Sequence, residues 1–200
     1  AAIGDLDHDN ITELAVGTES SSDGKNTVYI LFLNRDGTVR RWQALRSNEG
    51  GAPSMPVFNQ FGSSMVNIGD IDKDNVTDIA IGAMYGTDGI DGRVRSGVVY
   101  IAFMNRNGTA REMHQISALS EAGTDVSNGE IPVVQDDCCG AALANVRDMN
   151  KDAYASQRPN VLRSEAGLDI RPSVEDIVMG CPQVDTSQWG GRLFVLFLNS

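Results

Sequence analysis

Asp70, Asp72, Asp74 and Asp78 place carboxylates at positions 1, 3, 5 and 9 of one short segment, and Asp5, Asp7, Asp9 and Glu13 repeat that spacing near the start of the chain. The surrounding runs, GDLDHDNITELAVG at 4–17 and GDIDKDNVTDIAIG at 69–82, are near copies of each other. Each like-charge pair held about 4–6 Å apart costs on the order of 2–4 kcal/mol at an effective dielectric near 20, so a loop that gathers these groups needs a cation. Hard oxygen ligands on a short flexible loop, with the carbonyl of Ile11 or Val76 added at position 7, suit Ca²⁺; Mg²⁺ demands an octahedron and keeps several of its waters. Two calcium sites are therefore expected: Asp5, Asp7, Asp9, Ile11 and Glu13, and Asp70, Asp72, Asp74, Val76 and Asp78.

The D-x-D-x-D opening also begins an EF-hand, but that loop requires Gly at position 6 and a bidentate Glu at position 12. Here position 6 is Asn10 or Asn75 and position 12 is Val16 or Ile81. The flanking LAVG and IAIG runs are short, apolar and rich in β-branched residues, which predicts strands rather than helices on either side. Each acidic loop thus joins two strands.

The repetition extends further. VYILFLNRDGTV at 28–39 matches VYIAFMNRNGTA at 99–110, and LFVLFLN at 193–199 is a third copy. In the second unit the pattern predicts a first strand at 61–69, a second at 78–84, an unbroken apolar third at 97–105 and a more polar fourth at 110–118. An unbroken third strand is covered on both faces, and an alternating fourth lies at an edge. Repeated sheets of four antiparallel strands packed face to face are blades of a β-propeller. Blades are expected at 1–60, 61–138 and 139–200, about two and a half to three in all. The third lacks a fourth strand and carries a polar insertion at 153–175. Aligning 139–152 with the second unit puts Asp148, Asn150 and Asp152 at loop positions 1, 3 and 5. Asp176 then falls beyond the insertion at position 9, and this set is a candidate for a third, weaker calcium site.

Phe61-Gly62, the acidic loop at 70–78 and the closing Gly82-Ala83 resemble the FG-GAP repeat of integrin alpha-subunit propellers and of many surface proteins. The resemblance implies a calcium-stabilised propeller outside the cell, serving adhesion or recognition without catalysis. Its partners would be further blades or neighbouring chains that complete the ring, and a protein or glycan ligand. The third unit departs from the pattern with Cys139 in place of Phe61. Residue 1 aligns inside a first strand and residue 200 just after a third, so the chain is expected to be part of a larger propeller or assembly. A structural unit of a cell-surface filament or sheath, and an accessory domain of a secreted enzyme, are the alternative readings.

A net charge of -11, from 27 acidic and 16 basic residues, speaks against nucleic acid or an anionic membrane surface as partner. No apolar run reaches the length of a membrane helix. Cys138, Cys139 and Cys181 supply at most one bridge, with Cys181 to either neighbour, a vicinal pair or buried thiols all open. Asn10, Asn75 and Asn107 head N-x-T triplets and are candidate glycan acceptors. Asn10 and Asn75 also occupy a loop position expected to be left-handed, and Asn107-Gly108 is a hairpin pair. His8, at an even loop position, is expected to face solvent, and His114 to lie on an edge strand. No nucleophile motif accompanies either.

Overall fold

A computed structural model describes residues 1–18, 26–86, 96–117, 138–147, 149, 175–182, 191–196 and 198. Its described elements are all strands, in three antiparallel sheets. The first sheet runs β1 (Ala2–Gly4), β2 (Glu13–Gly17), β3 (Val28–Leu33) and β4 (Val39–Leu45), in that spatial order. The second repeats it with β5 (Phe61–Gly69), β6 (Asp78–Ala83), β7 (Val98–Met104) and β8 (Ala110–Ser117). In the third, β9 (Ala142–Arg147) and β11 (Arg192–Leu196) flank β10 (Asp176–Cys181). Nearest-neighbour antiparallel order repeated sheet after sheet makes these blades of a β-propeller.

Burial follows each sheet's place in the stack. One core lies between the first two blades, where Val28, Ile30 and Phe32 of β3 meet Ile79, Ile81, Tyr100 and Met104. A second lies between blades two and three, built from Ala80, Val99 and Ile101 against Ile177, Met179 and Cys181. The middle blade is covered on both faces, so all six residues of β6 are buried, and so are six of the seven in β7. β3 has the same type of sequence but alternates between buried and half-buried.

Two glycine pairs set the spacing between blades. A Cβ on Gly17 would lie 2.2 Å from the Gly62 carbonyl oxygen, and one on Gly82 would lie 2.0 Å from that of Gly140. Gly62 and Gly140 have φ of 90° and 81°, a region closed to most side chains. A glycine at or beside the end of the second strand of one blade therefore abuts a glycine near the start of the first strand of the next. Ser64 Oγ reinforces the second joint by donating to the Gly140 carbonyl at 2.6 Å.

The cysteine alternatives resolve through the same register. Phe61 pairs across the sheet with Ala83, and the matching positions of the third blade carry Cys139 and Cys181, which form the disulfide with Cα atoms 4.0 Å apart. The vicinal and Cys138–Cys181 pairings are thereby excluded; Cys138 lies buried outside the bond. Closing a chain segment of 42 residues restricts the unfolded state by about 4 kcal/mol on a chain-entropy estimate.

Replacing Gly17 with Ala is expected to destabilise the protein by at least about 2 kcal/mol, because only backbone could yield to the new methyl. Gly180→Ala, whose Cβ would meet nothing closer than 3.4 Å, should cost far less. Chemical denaturation of the two variants checks this contrast.

Candidate metal centres

Each complete blade carries its acidic loop between its first two strands, anchored by the pairs Gly4↔Glu13 and Gly69↔Asp78. A register slip precedes both loops, as bulges do where a strand must re-aim its end. The loops fold by the same hydrogen bonds. Asp5 accepts from the backbone N–H groups of Asp9 and Asn10 at 3.0 and 2.8 Å, and Asp70 from those of Asp74 and Asn75 at the same distances. Asp9 accepts from Ile11 N–H at 2.9 Å and Asp74 from Val76 N–H at 2.8 Å. Positions 4 and 6 are both left-handed, with φ of 65° and 64° at His8 and Asn10 and 65° at Lys73 and Asn75. Asn tolerates that conformation; His8 and Lys73 are held in it by the turn.

These turns converge the carboxylates of positions 1, 3 and 9. One oxygen each from Asp5, Asp7 and Glu13 lies within 4.8 Å of the others, and Asp70, Asp72 and Asp78 form the equivalent group. Glu13 and Asp78 are fully buried. Leu6 N–H donates to Glu13 Oε2 at 2.6 Å, and Ile71 N–H to Asp78 Oδ2 at 2.9 Å. Asp78 gains a second donor, Met104 N–H at 3.0 Å, whereas Glu13 Oε1 and Asp7 Oδ1 are buried with no hydrogen-bond partner. An oxygen withdrawn from water with no donor is costly unless a cation meets it. The donor set, all oxygen and mostly anionic, fits Ca²⁺.

Asp9 and Asp74 stand apart from these triplets. Their Oδ1 atoms close the turn, and their Oδ2 atoms meet arginines: Arg40 Nη2 lies 3.0 Å from Asp9, and Arg111 Nη1 lies 2.9 Å from Asp74. Arg40 also reaches Asp7 Oδ2 at 2.6 Å, and Arg111 pairs with Asp72. Sequence reasoning missed these arginines, although VRR at 39–41 and ARE at 110–112 put an arginine at the same step of each fourth strand.

Electrostatics register the crowding. Burial, assisted by Asp7, Asp9 and Asp5 and opposed by the Leu6 hydrogen bond, pushes the Glu13 carboxyl up to about 7. Burial also pushes Asp78 up to about 6, with Asp72 and Asp74 adding to it and the Met104 and Ile71 hydrogen bonds opposing. In the third blade Asp176 is buried and accepts from Met149 N–H at 2.8 Å and Leu198 N–H at 3.2 Å. That is the arrangement of Asp78. Asp148, Asn150 and Asp152 lie outside the described residues, as does nearly all of the insertion.

His8 is exposed, as expected, and it also makes a contact not anticipated from the sequence. Its exposed ring places Nε2 2.7 Å from the Asn75 carbonyl oxygen, tying the first loop to the second. Arg41 makes another such tie. It stacks 3.2 Å from the centre of the Phe32 ring, donates to Asp7 Oδ2 at 3.2 Å, and reaches the Asn107 carbonyl of the neighbouring hairpin at 3.0 Å. His114 lies on β8 beside Glu112, 2.8 Å from its Oε1. Asn10 and Asn75 sit within the loops, while Asn107 Oδ1 accepts from the Thr109 N–H and hydroxyl in the β7–β8 turn.

Residues 61–101, which span the acidic loop and its flanking strands, match the FG-GAP repeat family. This stretch of the chain is an FG-GAP repeat. Integrin alpha-6 of Gallus gallus is 30% identical over 184 residues, 86% of this chain and 15% of the relative. Integrin alpha-PS2 of Drosophila melanogaster is 32% identical over 108 residues, 50% of this chain and 7% of that protein. Integrin alpha-4 of Xenopus laevis is 27% identical over 113 residues, 56% of this chain and 11% of its own length. The FG-GAP chain thus spans less than a sixth of each of these relatives. Among its described residues no helix is long and apolar enough to cross a membrane.

The raised carboxyls fix the sign of a pH effect. A group whose folded pKa lies above its unfolded value stabilises the fold fully below the unfolded pKa, and that contribution is lost as pH rises through the folded one. The calcium-free chain should therefore lose stability between pH 4 and 7, on the order of 2–3 kcal/mol for each of Glu13 and Asp78. Saturating calcium should flatten the profile. Thermal melts across this range, with and without the ion, check both statements.

Proposed function

We propose that this FG-GAP chain is a calcium-stabilised, non-catalytic segment of an extracellular propeller serving adhesion or recognition. The observation that carries the proposal is the pair of converging carboxylate triplets, each with one fully buried acid, in loops that share the same hydrogen bonds. Asp5, Asp7 and Glu13, with Asp9 and the Ile11 carbonyl, would hold one ion. Asp70, Asp72 and Asp78, with Asp74 and the Val76 carbonyl, would hold the second. Asp176, together with Asp148, Asn150 and Asp152, is the candidate for a third.

The ion's task is structural. It supplies positive charge where the turn has gathered negative charge, and it fastens β1 to β2 and β5 to β6 at their loop ends. The likeness to integrin alpha subunits favours a cell-surface setting, a ring completed by further blades, and a protein or glycan ligand. Loops that join successive strands are the usual carriers of such specificity.

Extracellular modules bind calcium with Kd of roughly 10⁻⁴–10⁻³ M, so 1–2 mM of the ion should add about 0.5–2 kcal/mol per site. The melting temperature should rise with calcium and fall with chelator. Asp72→Ala should lower it and weaken its calcium dependence. A midpoint indifferent to both reagents would remove calcium from the proposal.

A further inference from the structure

Arg40 and Arg111 occupy the same step of the fourth strand in the two complete blades, each following the residue that opens its strand after the hairpin turn. Each reaches across its own sheet to the acidic loop and meets the carboxylates of positions 3 and 5. Arg40 holds Asp7 and Asp9; Arg111 holds Asp72 and Asp74. The next residue breaks the equivalence, being Arg41 in one blade and Glu112 in the other. What recurs is one guanidinium on two carboxylates: Arg40 meets both through Nη2, while Arg111 spreads its two Nη nitrogens over Asp72 and Asp74, as the planar fork of arginine allows and the point charge of lysine does not.

The oxygens engaged are the informative detail. In all four aspartates the arginine takes Oδ2. In Asp7 this leaves Oδ1 buried and without a partner, while Oδ1 of Asp9 and of Asp74 closes the turn. The guanidinium thus engages Oδ2 at positions 3 and 5, beside the carboxylate triplet of positions 1, 3 and 9. It supplies one positive charge to a group of four acids, enough to offset part of their repulsion but not to neutralise it.

We propose that Arg40 and Arg111 are built-in counter-charges that hold the loops closed when no divalent ion is bound, and that the same charge lowers the loops' affinity for the ion. This rests on the calcium reading of the loops. Without the ion, Arg111 faces Asp72 and Asp74, and Arg40 faces Asp7 and Asp9 with Arg41 joining it on Asp7, so these pairings are worth most in that state. Once a divalent cation is present, the guanidinium shares those carboxylates with a stronger charge and is itself repelled. A group that favours the ion-free form must weaken ion binding by the same factor, since both edges belong to one thermodynamic cycle. These are positioning residues, exposed at their tips, and they are not ligands.

The test compares the wild-type chain with Arg40→Gln/Arg111→Gln and with Arg40→Lys/Arg111→Lys, by thermal melting in calcium-free buffer and in saturating calcium, and by calorimetric titration with CaCl₂. The glutamine variant should lose more melting temperature without calcium than with it. Its calcium Kd should fall about two- to fivefold, the size expected of exposed ion pairs. The lysine variant, which keeps the charge and loses the fork, should fall between glutamine and wild type on both readouts. Equal losses in the two buffers, or weaker calcium binding by the glutamine variant, would overturn the proposal while leaving the calcium sites intact. A wild-type chain with no calcium response would instead overturn the calcium reading, and this inference with it.

Discussion

Mutual repulsion of acids packed into a short turn is the constraint around which each complete blade is organised. The Asp-x-Asp-x-Asp spacing lets the backbone donate to Asp5 and Asp70 and closes the turn, but closing it drives Glu13 and Asp78 into buried positions beside other carboxylates. Protonation, arginine pairing and a divalent cation are the three ways such a cluster can be relieved. The structure carries marks bearing on each: carboxyls pushed upward, arginines on the Oδ2 atoms of positions 3 and 5, and carboxylate oxygens of positions 1, 3 and 9 brought close to one another.

The loops matter to the propeller because they stand at the junctions between blades. His8 joins the first loop to the second, and Arg41 joins Asp7 to the β7–β8 hairpin. Further along the same joints, backbone meets backbone at Gly17 and Gly62 and again at Gly82 and Gly140. The two glycines of the FG-GAP pattern thus have one shared purpose, since a side chain at either would hold neighbouring sheets apart. Apolar burial fills the space between, and it stabilises far more than any exposed ion pair does.

Much of this was legible in the residues. Duplicate acidic runs, triplicate apolar runs and a turn pair at Asn107-Gly108 specified the strand order, because period-two burial and turn chemistry are local properties. The strands lie within a residue or two of their expected positions. Less legible was the reach of long side chains. Arg40 and Arg111 look like ordinary polar residues of edge strands, and the exposed His8 like a loop residue without a partner, until the folded chain brings residues remote in sequence within range.

The disulfide is the instructive intermediate case. Its signal was present, since Cys139 and Cys181 replace Phe61 and Ala83, but using it required the cross-strand register as well as the alignment.

Sequence by itself determined that this chain forms four-stranded repeats with acid-rich turns, because spacing along the backbone dictates which groups a turn can gather. Only the tertiary structure decided which oxygens are buried, which are met by arginine and which blade touches which. Those outcomes depend on distances between residues remote in the chain, and such distances exist only once the sheets have packed.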